Sequence, residues 1–261
     1  MIKFCPLFSS SSGNSVYIGG GDGGVLIDCG VSAKQTTAAL YDIGVDAASI
    51  RAVFVTHEHS DHVRGVRVFA KKYALPVYGT AGTLAAMEEN GVADGTYKCF
   101  VLPEEGTEAA GFWLRPFATS HDVRESCGYR ITVPDGRHLA VCTDLGMMTS
   151  TVLTQLLQCT LVMLESNHDV GMLQNGPYPY WLKQRILSDR GHLSNEACAQ
   201  TAVQLVQNGV MRLILGHLSK ENNMPALAYE HNNAALAAAG IRVGSDCLLS
   251  VAGQGRESVF V

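Results

Sequence analysis

Thr56-His57-Glu58-His59-Ser60-Asp61-His62 is the stretch on which the reading of this chain turns. Residues 50–55 precede it as a continuous apolar and β-branched run, apart from Arg51, and predict a buried strand. A buried strand that delivers its chain straight into three histidines and an aspartate is where a site is expected. Alternation puts His57 and His59 on one side of an extended segment, while Asp61 and His62 at the turn can face a neighbouring point. Neutral imidazole and carboxylate are the ligands that a divalent transition metal of borderline softness takes, and one ion needs three or four of them. The stretch, with histidines further along, supplies enough for more than one.

Outward from this motif the chain alternates between strands and helices. Upstream, residues 1–6, 15–18 and 24–28 read as strands, the last two joined by the turn Gly19-Gly20-Gly21-Asp22-Gly23. Ser32 caps a predicted helix through residue 41 that closes near Gly44. Downstream the pattern predicts a helix over 63–73, a strand over 76–78, a helix over 83–89 and a strand around Phe100. An alternating run at 112–118 leads into Thr119-Ser120-His121-Asp122. Strands over 127–133 and 138–143 flank Pro134-Asp135-Gly136, a hairpin signal, and the second stops at Asp144-Leu145-Gly146. A helix from about residue 150, a strand to Glu165, helices over 180–187 and 195–207, a strand over 211–215, a helix over 225–239 and closing strands complete the chain. With no linker and no internal repeat, residues 1–261 read as one α/β domain.

Composition narrows the function classes. Of 261 residues, 19 are Lys or Arg and 24 are Asp or Glu, leaving a net charge of −5; 16% are charged and 47% hydrophobic. Such a core-rich chain is not disordered, and its charge argues against a protein that coats nucleic acid with a uniformly basic surface. The start, Met1-Ile2-Lys3-Phe4-Cys5-Pro6, lacks the apolar core of a signal peptide. The uncharged stretch 145–164 is broken by Thr149, Ser150, Thr151, Thr154, Gln155, Gln158 and Thr160, and reads as helix then strand rather than as a membrane span. Eight scattered cysteines without a CxxC pair read as reduced and mostly buried. A cytoplasmic protein without membrane attachment is expected.

The run from His57 to His62 resembles the signature of the metallo-β-lactamase superfamily, and further motifs follow in order: His121 after a strand, Asp144 in Thr-Asp-Leu-Gly, and His217 in Leu-Gly-His-Leu. The resemblance implies an αββα sandwich, two mixed β-sheets flanked by helices, with a two-metal site on one edge. It implies His57, His59 and His121 as ligands of one metal, Asp61, His62 and His217 as ligands of the other, and Asp144 as the bridge. Two such ions can share a water, bring its pKa toward ~7 and present hydroxide at neutral pH. Zinc and manganese both suit a His/Asp set without thiolates. Asp122 is a candidate acceptor behind the metal histidines, and Glu58 a weaker one.

Local features bear on the substrate. Gly191-His192-Leu193-Ser194-Asn195-Glu196-Ala197 resembles the segment that opens a helix in phosphodiesterase branches of the superfamily. Ser194 can cap that helix, whose positive end suits a phosphate, and His192 is placed to protonate a leaving oxygen. Leu164-Glu165-Ser166-Asn167-His168-Asp169, the run Ser9-Ser10-Ser11-Ser12-Gly13-Asn14-Ser15 and Gly216-His217-Leu218-Ser219-Lys220-Glu221-Asn222-Asn223 resemble the WalJ (YycJ) group, whose members look like 5′-to-3′ DNA exonucleases. Asn167 and His168 are candidate substrate contacts, with Glu165 orienting His192 or His168. Arg64, Arg67 and Lys71 form one basic stripe and Lys183, Arg185 and Arg190 another, suited to tracking a sugar-phosphate backbone. His138 and His231 join no ligand pattern. Trp113 and Trp181 read as core, although Tyr178, Tyr180 and Trp181 after Pro177 can rim the site.

The expectation is a dinuclear-metal hydrolase that cleaves phosphodiesters with a metal-bridging hydroxide, working from a nucleic-acid end, with Asp61, Asp144 and His192 as its catalytic residues. The alternative is hydrolysis of a small ester, thioester or lactone on the same metals. A non-catalytic metal-binding regulator is the least supported, since every expected ligand is present.

Overall fold

The structure is a computed structural model that describes residues 2–21 and 23–253, with the backbone of Val259–Phe260. Asp22, in the expected glycine-rich turn, and Met1, in the expected first strand, lie outside the described residues. The first half of the chain forms β1 (Lys3–Ser10), β2 (Gly13–Gly20), β3 (Gly23–Ile27), α1 (Ala33–Asp42), β4 (Ile50–Phe54), α2 (Ser60–Val63), α3 (Val66–Tyr73), β5 (Val77–Gly79), α4 (Ala81–Glu89) and β6 (Cys99–Val101). The second half forms β7 (Thr107–Ala109), β8 (Phe112–Ala118), β9 (Cys127–Thr132), β10 (His138–Cys142), α5 (Ser150–Leu156), β11 (Leu161–Glu165), α6 (Val170–Asn175), α7 (Tyr180–Ile186), α8 (Asn195–Gln207), β12 (Arg212–Gly216), α9 (Pro225–Ala238) and β13 (Leu248–Val251), with β14 (Val259–Phe260) last.

These strands build two seven-stranded mixed sheets, ordered β14-β1-β2-β3-β4-β5-β6 and β13-β12-β11-β10-β9-β8-β7. In each sheet an antiparallel run passes into a parallel run, at β3 in the first and β10 in the second. Strand alternation sorts the side chains into layers. On β10 and β11, Leu139, Val141, Leu161 and Met163 point into a core shared with Val16, Ile27 and Phe54 of the other sheet. Their neighbours Ala140, Cys142, Val162 and Leu164 pack outward with α8 residues Cys198, Ala202 and Leu205. Strands buried on both faces need near-continuous apolar sequence, which these runs supply. On the outer face of the first sheet, Leu40 of α1 and Phe69 of α3 cover Val53 and Val55. The result is the expected αββα sandwich of class α/β.

Two local differences from the sequence reading matter for the site. The helix expected over 63–73 begins earlier and breaks in two, as α2 and α3 separated at Gly65. A Cβ at Gly65 would meet the Val31 carbonyl oxygen at 2.1 Å, and one at Gly30 would meet the Asp61 carbonyl oxygen at 1.6 Å. These glycines let the loop after β3 press against the histidine motif, and Cys29 N–H donates to the His62 carbonyl at 2.9 Å. The second difference is in the serine run, which does not form a free loop: Ser9 and Ser10 belong to β1, the turn follows them, and Gly13 to Ser15 open β2.

Candidate metal centre and active-site cleft

The candidate residues gather where strand ends of both sheets meet. His57 follows β4, Asp144 follows β10, Glu165 ends β11 and His217 follows β12. All four lie at the carboxyl ends of parallel strands, the usual place for a site in an α/β sheet. Buried Tyr129 donates its hydroxyl to the Val55 carbonyl at 2.7 Å, and Cys127 N–H donates to the Thr56 carbonyl at 3.0 Å. The second sheet thereby fixes the end of the strand that carries the motif. Asp28, Asp144 and His217 all have left-handed backbone, with φ of 62°, 60° and 54°. This turns each side chain sharply out of its strand direction toward the cluster, in a conformation that costs most residues energy.

One group consists of His57, His59 and His121, whose ring nitrogens lie within 4.8 Å of one another. His57 Nε2 and His59 Nδ1 are 3.1 Å apart. His121 donates from Nδ1 to the Gly191 carbonyl at 3.0 Å, which leaves Nε2 with its lone pair, buried and without a partner. Burial lowers all three imidazoles from their ordinary value, His57 the most, with help from its histidine neighbours. Three neutral imidazoles facing one point are metal ligands in their binding form.

A second group is Asp61, His62 and His217, also within 4.8 Å. His62 Nδ1 lies 2.7 Å from the carboxylate of Asp28, and His217 Nδ1 lies 2.7 Å from that of Glu165. Each imidazole therefore gives its Nδ1 proton away from the cluster and turns Nε2 inward. Burial alone would discharge His62, but the Asp144 and Asp28 carboxylates outweigh it and push it up to about 10. His217 is raised as well: Asp144, Asp61 and Glu165 overcome its burial. Burial opposes ionisation of Asp61, yet His217 and His62 hold it well below the usual carboxylate range.

Asp144 sits between the groups. Its Oδ2 is 3.5 Å from His62 Nε2 and its Oδ1 is 3.8 Å from His121 Nε2. Asp144 Oδ2 and His217 Nε2, like His121 Nε2, are buried without a hydrogen-bond partner. Buried polar atoms without partners that converge from separate segments cost a fold energy unless something satisfies them. A divalent cation does so, and the donor set of imidazoles and carboxylates fits one.

Glu165 and Asp28 brace these ligands from behind. Glu165 is fully buried and accepts from His192 Nδ1 at 2.9 Å, His217 Nδ1 at 2.7 Å, Leu193 N–H at 2.9 Å and Leu145 N–H at 3.2 Å. It orients His192 and His217 rather than His168. Burial would raise its carboxyl, but His192 and His217 keep it well below the ordinary range. Asp28 accepts from Thr56 N–H and Oγ1, each at 2.8 Å, besides His62. Sequence reasoning missed Asp28; its signal was an apolar strand stopped by Asp-Cys-Gly, the same form as the strand stopped by Asp144.

A cleft of about 220 Å³ opens onto the cluster, lined among others by Ser11, His59, Asp61, Asp144, Asn167, Arg185, His192 and His217. Asn167 reaches it while donating from Nδ2 to the His217 carbonyl at 2.8 Å. Other expected contacts lie differently. His168 is only 1% exposed, is absent from the cleft wall, and burial pushes it down to about 4. Ser194 spends its hydroxyl capping α8 through Ala197 N–H at 3.2 Å, and Asn195 N–H donates to the His168 carbonyl, so this helix start is already satisfied. Asp122 accepts from Arg185 Nε and Nη2 instead of bracing a metal histidine by a hydrogen bond, and the His121 Nδ1 proton goes to the Gly191 carbonyl. Glu58 accepts from Arg124 N–H at 3.0 Å and touches no imidazole. Arg190 donates to the His121 and Val123 carbonyls, Lys183 to the Gln174 carbonyl, and Arg67 pairs with Asp94 at 3.8 Å. All three cations of the second stripe are thus engaged, and Arg67 of the first is paired.

A two-sheet sandwich with this histidine and aspartate set at its strand ends belongs to the metallo-beta-lactamase superfamily, whose family model matches residues 10–217. The chain is 36% identical over 247 residues to Exodeoxyribonuclease WalJ of Streptococcus pneumoniae serotype 2 (strain D39 / NCTC 7466), covering 94% of this chain and 91% of that protein. It is 35% identical over 244 residues to Exodeoxyribonuclease YycJ of Bacillus anthracis, covering 93% and 92% of the two chains. Among solved structures, the metallo-beta-lactamase fold protein YhfI from Bacillus subtilis superposes with a TM-score of 0.72 at 17% identity, over 97% of both chains, a likeness of fold.

Proposed function

We propose that this chain, acting as one domain, is a metal-dependent nuclease that hydrolyses phosphodiester bonds at the ends of DNA. The observation that carries the reading is the convergence of His121 Nε2, His217 Nε2 and Asp144 Oδ2, buried and unpartnered, on a cleft that also holds His192. The strong likeness to two proteins named exodeoxyribonucleases supports DNA as the substrate. In this reading His57, His59 and His121 would hold one divalent ion and Asp61, His62 and His217 a second, with Asp144, placed between the two groups, a ligand as well. Zinc and manganese both match the donors. Ions in such a set lower the pKa of water and take up charge developing on phosphoryl oxygens.

The chain's own residues do the rest. Asp61 keeps its carboxylate ionised at the cleft floor, where Asn14 Nδ2 donates to it at 3.2 Å. His192, locked through Nδ1 to Glu165, turns Nε2 to the cleft, where it can hold a proton for the departing oxygen. No helix among the described residues is long and apolar enough to cross a membrane. The eight free cysteines, seven of them buried, fit a reducing compartment such as the cytoplasm.

The test is metal analysis of purified protein, then digestion of end-labelled single- and double-stranded DNA and RNA, with and without a 5′-phosphate. Stepwise loss of nucleotides from DNA ends, abolished by chelation, is expected. Full activity in a variant carrying both His59→Ala and Asp61→Ala would overturn the site. Hydrolysis of aryl esters or lactones without any phosphodiester cleavage would overturn the substrate class.

A further inference from the structure

The segment that walls one side of the cleft carries aromatic side chains the fold does not use. None of the seven residues of α7 is buried. Tyr180 is 76% exposed and Trp181 is 66% exposed, against 43% for Trp113, whose indole N–H donates to the Glu105 carbonyl. The core role expected for Trp181 is therefore not the one it has. Exposed Trp and Tyr side by side are costly to leave in water, since each offers a large apolar face.

Their position gives the reason. Tyr178, Leu182, Arg185 and Ile186 line the cleft together with Asp61, Asp144 and His192. Trp181 is not itself part of the cleft wall, but it directly precedes Leu182 and lies one helical turn before Arg185, both of which are. The segment is held from below: Arg185 is paired to Asp122, Lys183 donates to the Gln174 carbonyl at 2.8 Å, and a Cβ at Gly191 would meet the Ile186 carbonyl oxygen at 2.1 Å. Its cations are consequently engaged, and what it presents outward is flat and apolar. A phosphate backbone finds little to grip there, whereas a nucleobase finds a π-face next to the place where its phosphate would be cut.

We propose that Tyr178 and Trp181 form a stacking platform for the first bases of a single-stranded nucleic-acid end, with Tyr180 extending it outward. This rests on the nuclease reading above and adds to it that affinity comes from unpaired bases as well as from phosphate. Stacking on an aromatic side chain tolerates any base, because every base has a π-face. A duplex end would have to fray before it could use the platform.

Trp181 itself reports the contact. In a Trp113→Phe background it is the remaining tryptophan of the chain, and a single-stranded phosphorothioate oligonucleotide should quench its fluorescence. An oligonucleotide of the same length with abasic terminal positions should quench it weakly and bind about ten-fold less tightly or worse. Trp181→Ala should raise Kd for the normal oligonucleotide by a similar factor while leaving Kd for the abasic one nearly unchanged, and Trp181→Phe should restore most of the affinity. Equal quenching and equal Kd for normal and abasic strands, in a protein that still degrades DNA, would overturn the platform and leave the nuclease reading standing. A protein that degrades no nucleic acid with any metal overturns the nuclease reading instead.

Discussion

The two halves of the candidate metal centre are built by opposite means. In the amino-terminal half, four groups come from one short segment: His57, His59, Asp61 and His62 follow a single strand, β4, and α2 winds the last two into place. In the carboxyl-terminal half, Asp144, Glu165, His192 and His217 arrive from four separate segments of the second sheet and its connections. Each half nevertheless has one buried carboxylate behind it, Asp28 or Glu165, that takes an imidazole Nδ1 proton. The difference lies in the load. Asp28 braces His62 and the backbone of Thr56, whereas Glu165 ties two imidazoles and two backbone amides into one node. A contiguous motif is held largely by its own chain; a dispersed one needs a hub.

This contrast can be broken in order of effect. Paired substitutions in either half, His59→Ala with Asp61→Ala or Asp144→Ala with His217→Ala, should each cut DNA hydrolysis by at least about 1,000-fold, the scale of losing the main electrostatic stabilisation. Residual activity well above that in one pair would show that one half suffices. His192→Ala should cost about 100-fold or more on DNA, yet far less on an aryl phosphodiester whose leaving group departs without a proton. Equal losses on both substrates would assign His192 to the metal centre and not to the leaving oxygen.

The two braces come next. Glu165→Gln and Asp28→Asn should each weaken metal retention, in chelator competition, by about 10- to 100-fold, with Glu165→Gln the larger because it frees His192 and His217 together. A larger loss at Asp28 would reverse the comparison. The smallest effect is expected at Ser194→Ala, which removes the cap of α8: about 1 kcal/mol of stability, seen as a fall of about 2–4 °C in Tm, with turnover changed less than two-fold.

The same contrast explains what was legible in the sequence. The first half could be read because the order of residues in the motif is nearly their order in space. His121, Asp144 and His217 became visible only as later members of a family pattern, since spacing along the chain says nothing about distances across 100 residues. Asp28 escaped because a strand-end aspartate is common. Asp122 was expected to accept from one of the metal histidines, but it is taken up by Arg185, and the acceptor behind His121 is the Gly191 backbone carbonyl, which no side-chain pattern records. The stripe of Lys183, Arg185 and Arg190 looked available because charge is written in the sequence, while engagement with carbonyls and Asp122 is not. Trp181 was assigned to the core for its apolarity, but its helix turns no residue fully inward. The strands, the helices and the α/β class followed from periodicity, whereas the layered sandwich followed from the resemblance alone.

The left-handed backbone at Asp28, Asp144 and His217 has a consequence for how such a chain changes over time. Conformations of this kind cost roughly 1–3 kcal/mol each, and all three occur at the cluster, next to buried polar atoms without partners. The cluster is therefore a concentration of local strain, kept in shape by the consistency of the two sheets around it. A descendant that no longer needed the chemistry would gain stability by relaxing these turns, most directly through glycine.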